Sequence, residues 1–188
     1  MRASVLVLSV AALLSVSCGG DVAAGPALLS EWGLFTDMAH QIPADGVVPY
    51  EVNAALFSDY AHKHRFIRVP PGEVATVTAD GHLSFPDGTV IVKTFGFLAV
   101  QGDVTSPERL IETRLLVRDA GEWTPLIYLY DADMREARLS QYGTRVDVSF
   151  TTTTGGMQAF TYRVPNAIQC RNCHGVIEPI DLLGVHVR

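Results

Sequence analysis

Cysteine is scarce in this chain, three residues in 188, and no apolar stretch is long enough to remain in a bilayer as a helix. The longest such run, Val5 to Leu14, is broken by Ser9. Positive charge is also short: 14 Lys and Arg stand against 20 Asp and Glu, for a formal charge of -6. Arg2 is the only charged side chain in the first 17 residues, so the remainder is near -7. That balance excludes nucleic acid, and anionic lipid, as partners drawn in by the overall field, and it favours a partner with a basic docking surface. There is no internal repeat of fixed period.

What is present describes one exported globular domain. A hydrophobic fraction of 48% with 18% charged residues is that of a folded chain, and the length supports a single core. Arg2, the apolar run and the small residues Ser15 and Ser17 ahead of Cys18 read as a signal peptide over 1–17. The Cys18-Gly19-Gly20 context is of lipoprotein type, making Cys18 the expected lipidation site; ordinary cleavage nearby is the alternative. Residues 18–26 then form a tether, and an acyl chain on Cys18 holds the domain at a membrane surface in the periplasm or cell envelope.

The expected fold is mainly β, an antiparallel sandwich or barrel-like domain over 27–166. Leu28, Leu29, Trp32, Phe35 and Met38 recur at helical spacing, predicting a short N-terminal helix within Ala27 to Ala39; Gln41 to Pro49 reads as loop. Strand patterns follow at His64–Val69, Glu73–Thr78, His82–Phe85, Thr89–Phe97, Leu110–Val117, Glu122–Tyr130, Glu136–Leu139, Arg145–Thr152 and Gln158–Val164. Turn residues such as Asp80-Gly81, Pro86-Asp87-Gly88 and Asp119-Ala120-Gly121 separate them at the short intervals of an antiparallel sandwich or barrel. After Pro165-Asn166 a helical turn is expected through Ala167 to His174, opening a final segment, 167–188.

With Cys18 set apart, Cys170 and Cys173 need one shared purpose, and Cys170-Arg171-Asn172-Cys173-His174 has the spacing of c-type haem attachment. On one helical turn two thiols can each add across a haem vinyl group, and the adjacent His174 then serves the iron as proximal ligand. One covalent haem c is therefore the expected cofactor. Competing readings are a redox Cys-x-x-Cys, which lacks its usual βαβ setting, a structural zinc site, which lacks a second ligand pair, and a plain Cys170–Cys173 disulfide. For the sixth ligand, Met157 and His186 are nearest in sequence, with His40, His62, His64, His82, Met38 and Met134 further away. Only 14 residues follow His174, too few to enclose a haem in helices. Either the β-domain walls the crevice or the chain is shortened relative to longer relatives. Asp59, Lys63, Arg65, Glu112 and Arg114 form a polar set that is either a second site or a salt-bridge network.

Several segments carry a resemblance: Leu29-Ser30-Glu31-Trp32-Gly33-Leu34-Phe35, Val48-Pro49-Tyr50-Glu51-Val52-Asn53, Leu56-Phe57-Ser58-Asp59-Tyr60-Ala61, Phe85-Pro86-Asp87-Gly88-Thr89, Ile111-Glu112-Thr113-Arg114 and Tyr162-Arg163-Val164-Pro165-Asn166 before the cysteine motif. In this order they resemble a poorly characterised group of exported bacterial β-rich proteins, often labelled di-haem c-type cytochromes or conserved hypothetical proteins. The resemblance implies haem binding at Cys170, Cys173 and His174, and electron transfer by general label. A single Cys-x-x-Cys-His here supports one haem, not two. The expected function is electron transfer through that haem, more an electron carrier than an enzyme. The alternatives are a peroxidase-like enzyme with five-coordinate iron and a non-catalytic binding module with a disulfide.

Overall fold

A computed structural model describes residues 25–79 and 81–174, with side chains as far as residue 170. The chain is mainly β and its sheets are antiparallel. Three short strands open it: β1 (Phe35–Asp37), β2 (Ile42–Pro43) and β3 (Val47–Pro49). Then come β4 (His62–Arg68), β5 (Thr76–Val77), β6 (Leu83–Ser84), β7 (Val90–Leu98), β8 (Glu108–Asp119) and β9 (Glu122–Tyr130). The set closes with β10 (Ala137–Leu139), β11 (Thr144–Thr151), β12 (Met157–Val164) and the helix α1 (Ala167–His174).

The principal sheet has six strands in the order β10-β9-β8-β7-β4-β3, open at both edges, so it is not a closed barrel. Its centre is β7, Val-Ile-Val-Lys-Thr-Phe-Gly-Phe-Leu, where eight of nine residues are buried. A strand covered on both faces reads as a continuous apolar run instead of an alternating one, and β7 does. Antiparallel pairing with β8 sets Val92 opposite Leu115 and Thr94 opposite Thr113, and the register slips between Phe95 and Gly96. That bulge locally re-aims the side chains beyond it.

Each face of the sheet has its own cover. On the first, Phe66, Val92, Leu115, Leu126 and Tyr128 meet Leu29 and Leu34 of the N-terminal segment. Leu29 and Leu34 are 0% and 1% exposed, each contributing about 1.5–3 kcal/mol of burial. On the second face, Phe97 and Ile127 pack against Val148, Phe150, Tyr162 and Val164 of the β11–β12 hairpin, with Ala167 and Cys170 of α1 beside them. Further along that face, Phe85, Ile91 and Trp123 form a smaller cluster.

Two local expectations are corrected. The helical spacing over 27–39 produces only one 3-10 turn, Leu29–Trp32, because Gly33 takes a left-handed conformation (φ 60) and turns the chain into β1. The apolar residues there are spaced to cap a sheet face, which imitates a helical stripe. The stretch read as loop, 41–49, holds β2 and β3, with β3 adding an edge strand beside β4. Within the expected tether, Pro26 is docked: its carbonyl accepts a hydrogen bond from Tyr128 (2.8 Å).

Candidate functional site

Helix α1 starts sharply. The Asn166 side chain accepts from the Gln169 backbone N–H (2.9 Å), and the Gln169 side chain accepts from the Asn166 N–H (3.0 Å). This reciprocal capping box satisfies two helix-end donors and fixes where the helix begins. Cys170 follows in the first turn, half-buried against the aromatic cluster of the second face. Its backbone N–H completes the helix by donating to Asn166 (3.2 Å). Cys173 lies three residues on, which on a helix shares a face with Cys170. The side chains of Cys173 and His174, together with His186 and Cys18, lie outside the described residues.

The second face beside Cys170 carries a strip of charge. The two-residue pleat of β4 sends Lys63 and Arg65 to this side, and Lys93 and Arg114 come from β7 and β8. Glu112, with no exposed surface, accepts from Arg114 through both oxygens (2.6 and 2.9 Å) and from the Tyr162 hydroxyl (2.7 Å). The Arg114 guanidinium lies 4.1 Å from the centre of the Phe95 ring, within electrostatic reach of the Cys170 thiol. Lys93 stands 5.3 Å from the same ring. Burial, reinforced by Arg114, Arg65 and Lys63, pulls the Lys93 ammonium down to about 8. Burial and the facing Glu112 carboxylate hold the Tyr162 hydroxyl protonated far above its ordinary range. Arg65 reaches the exposed Glu51 (3.2 Å). Of the polar set read from sequence, four members share this face; Asp59 does not, sitting exposed in a turn. Lys93 and Tyr162 complete the strip, and sequence offered no sign of either beyond alternation within a strand.

The remaining candidates for an iron ligand are dispersed. Met157 begins β12, is 74% exposed, and lies outside the cluster that packs Cys170. His40 pairs with Asp37 in an exposed turn (2.8 Å). Met38 packs on the first face, and the Met134 sulfur accepts from the Leu110 N–H (3.1 Å). His82 lies beside the short β5–β6 hairpin.

His62 and His64 are side by side, but on the first face, with Phe66 and away from Cys170. Between them sits Glu108 of β8. His62 Nδ1 lies 3.0 Å from one carboxylate oxygen and His64 Nε2 lies 2.9 Å from the other. Burial pushes Glu108 up, but the hydrogen bonds from both imidazoles outweigh it and bring the carboxyl to about 2. The same bond to Glu108 raises His62. Spacing alone places both histidines on one face of a strand; Glu108, more than 40 residues away, joins them through the register beyond the bulge at Ile111 of β8. A polar seam continues the row, with Thr94 opposite His64, Thr94 bonded to Thr113 (2.7 Å) and Thr113 to Tyr130 (3.0 Å).

Compared with protein-family models, with curated proteins and with solved structures, the chain matches none.

Proposed function

We propose that this protein is an exported c-type haem protein that moves electrons through one haem, bound by thioethers at Cys170 and Cys173 with His174 on the iron. The observation that carries the reading is the Cys-x-x-Cys-His motif set on a capped helix, with Cys170 packed at the rim of an aromatic cluster and within electrostatic reach of Arg114. Bound haem supplies one-electron redox chemistry.

The chain's own residues supply the rest. The Asn166–Gln169 box fixes the start of the helix and thereby the placement of its first thiol. Phe97, Phe150 and Phe160 give the neighbourhood an apolar wall that keeps water off, and the exposed Phe57 and Tyr60 extend it, Tyr60 lying 5.6 Å from Phe150. Lys63, Arg65, Lys93 and Arg114 are the residues that would hold the negatively charged propionates. Arg114 is paired with Glu112 and Arg65 with the exposed Glu51, so among the described residues Lys63 and Lys93 carry positive charge without a carboxylate in ion-pair contact. The fit is therefore chemical on three counts: thiols, apolar wall and counter-charge. A β-domain that walls the crevice also removes the need for enclosing helices after the motif. In this reading Cys18 carries the lipid anchor, the domain sits in the periplasm or envelope, and its acidic surface meets a basic redox partner.

The test is production of the exported chain with c-haem maturation machinery, followed by mass and reduced visible spectrum. A mass increase of about 616 Da that survives acid-acetone extraction, lost in Cys170→Ser/Cys173→Ser, is the expected result. Colourless protein whose two sulfurs are joined to each other overturns it and leaves a disulfide-bearing β-domain.

A further inference from the structure

We infer that His62, His64 and Glu108 form a binding site for one divalent transition-metal ion of the zinc class, on the sheet face opposite the cysteine helix and independent of the haem reading. The donor set comes first. His62 Nδ1, His64 Nε2 and a Glu108 oxygen all lie within 4.8 Å of one another. Two imidazoles and one carboxylate make up the three-ligand set of catalytic zinc centres, which keep the fourth position for water. The two rings meet nearly edge to face, centroids 4.6 Å apart at 75°, so one nitrogen of each converges on the carboxylate without the rings clashing.

Distances come next. Around a tetrahedral ion with bonds of 2.0–2.1 Å, neighbouring donors stand about 3.4 Å apart. The two nitrogen–oxygen separations here are 3.0 and 2.9 Å, each to its own Glu108 oxygen, so seating an ion requires the carboxylate to turn one oxygen toward both rings and the contacts to open by about 0.4 Å. The carboxylate now accepts a hydrogen bond from each imidazole. An incoming ion takes the place of those two hydrogen bonds, and in each neutral imidazole the proton then sits on the ring nitrogen that faces away from the ion.

The backbone makes the room. Gly96 lies opposite His62, and a Cβ placed on it would stand 2.3 Å from a Glu108 oxygen and 2.9 Å from its carboxyl carbon. Any other residue at 96 would drive the carboxylate out from between the histidines. The bulge at Phe95 and Gly96 brings the start of β8 into this row. Access is open as well. The edge strand β3 pairs only with Phe66 to Arg68, leaving the His62 end of β4 uncovered, and the three side chains keep 18 to 32% of their exposure. Zinc is the committed class because imidazole nitrogens suit it and the site holds no thiolate.

The experiment titrates Zn2+ into the full exported chain, parent and variants, and reads affinity by calorimetry and metal content per chain. Expected is one zinc at this site with a concentration-dependent rise in Tm. Affinity should fall about 100-fold in His62→Ala/His64→Ala, and at least about tenfold in Glu108→Gln. Glu108→Gln keeps the shape and much of the hydrogen bonding, so it reports the ligand instead of folding. Gly96→Ala should weaken zinc while both imidazoles remain. Because Cys170, Cys173 and His174 are intact in all these variants, zinc held there is unaffected by them. An unchanged zinc affinity in the double histidine variant, or no uptake by folded parent protein, overturns the site; the cluster is then an imidazole–carboxylate bridge.

Discussion

Glu112 has no exposed surface, and its carboxylate is tolerated there because Arg114 and Tyr162 donate three hydrogen bonds to it. A buried charge stripped of its partner is far more costly than a pair replaced together. Arg114→Met is therefore expected to lower unfolding free energy by about 3–5 kcal/mol, and Glu112→Leu/Arg114→Met to recover most of that loss, both read by urea denaturation. Tyr162→Phe removes one bond to a charged acceptor and should cost about 1.5–3 kcal/mol. Lys93 behaves in the opposite sense to a paired base, because its folded pKa is depressed. As pH rises through about 8 the native ammonium gives up its proton, while an unfolded lysine holds on until about 10.5. The unfolded state then binds more protons, so stability rises across that window. Above about 10, tyrosines of the unfolded chain ionise while Tyr162 does not, which turns the trend downward. Urea midpoints at pH 8, 9 and 10 should climb in the parent and flatten in Lys93→Met. A smaller slope from Lys63, lowered by burial, survives in that variant.

At the scale of elements, the described part of α1 is eight residues, and its start is set by local contacts. Its cap and its contact with the aromatic cluster hold it. Asn166→Ala should weaken the helix by about 1 kcal/mol, seen as roughly fivefold faster amide exchange at Cys170, whose N–H bonds the Asn166 carbonyl. The strands legible beforehand were those whose alternation or β-branched content is strong: β7, β8, β9, β11 and β12 all fall where the pattern placed them, within a residue or two. The failures share a cause. Leu29, Trp32 and Phe35 are spaced like a helix because a 3-10 turn followed by a short strand must point them all at one sheet face. The cysteine motif is local and could be read directly. Glu108 could not, since its partnership with His62 depends on register past a bulge, and a slip of one residue would send it to the other face. The two-residue spacing of His62 and His64 already puts them on one side of a strand.

For the whole molecule, the organising fact is a single central sheet that separates two chemistries, histidines with a carboxylate on one side and cysteine with cations on the other. Neither face is stable uncovered, and the covers come from opposite ends of the chain. The N-terminal cover is fastened at long range: Trp32 donates to the Tyr128 hydroxyl (2.7 Å), 96 residues away, and Tyr128 in turn reaches Pro26 across 102. β7 to β10, by contrast, are neighbours both in order and in space. During synthesis the N-terminal cover thus meets Phe66 of β4 and Val92 of β7 first, and is fastened to Tyr128 only when β9 arrives. At ordinary elongation speeds the Trp32 to Tyr128 contact lags by roughly 5–20 s, during which the cover of Leu29, Trp32 and Leu34 is incomplete. A chain wired this way reaches its native form late, and remains threadable for most of the time it is being made.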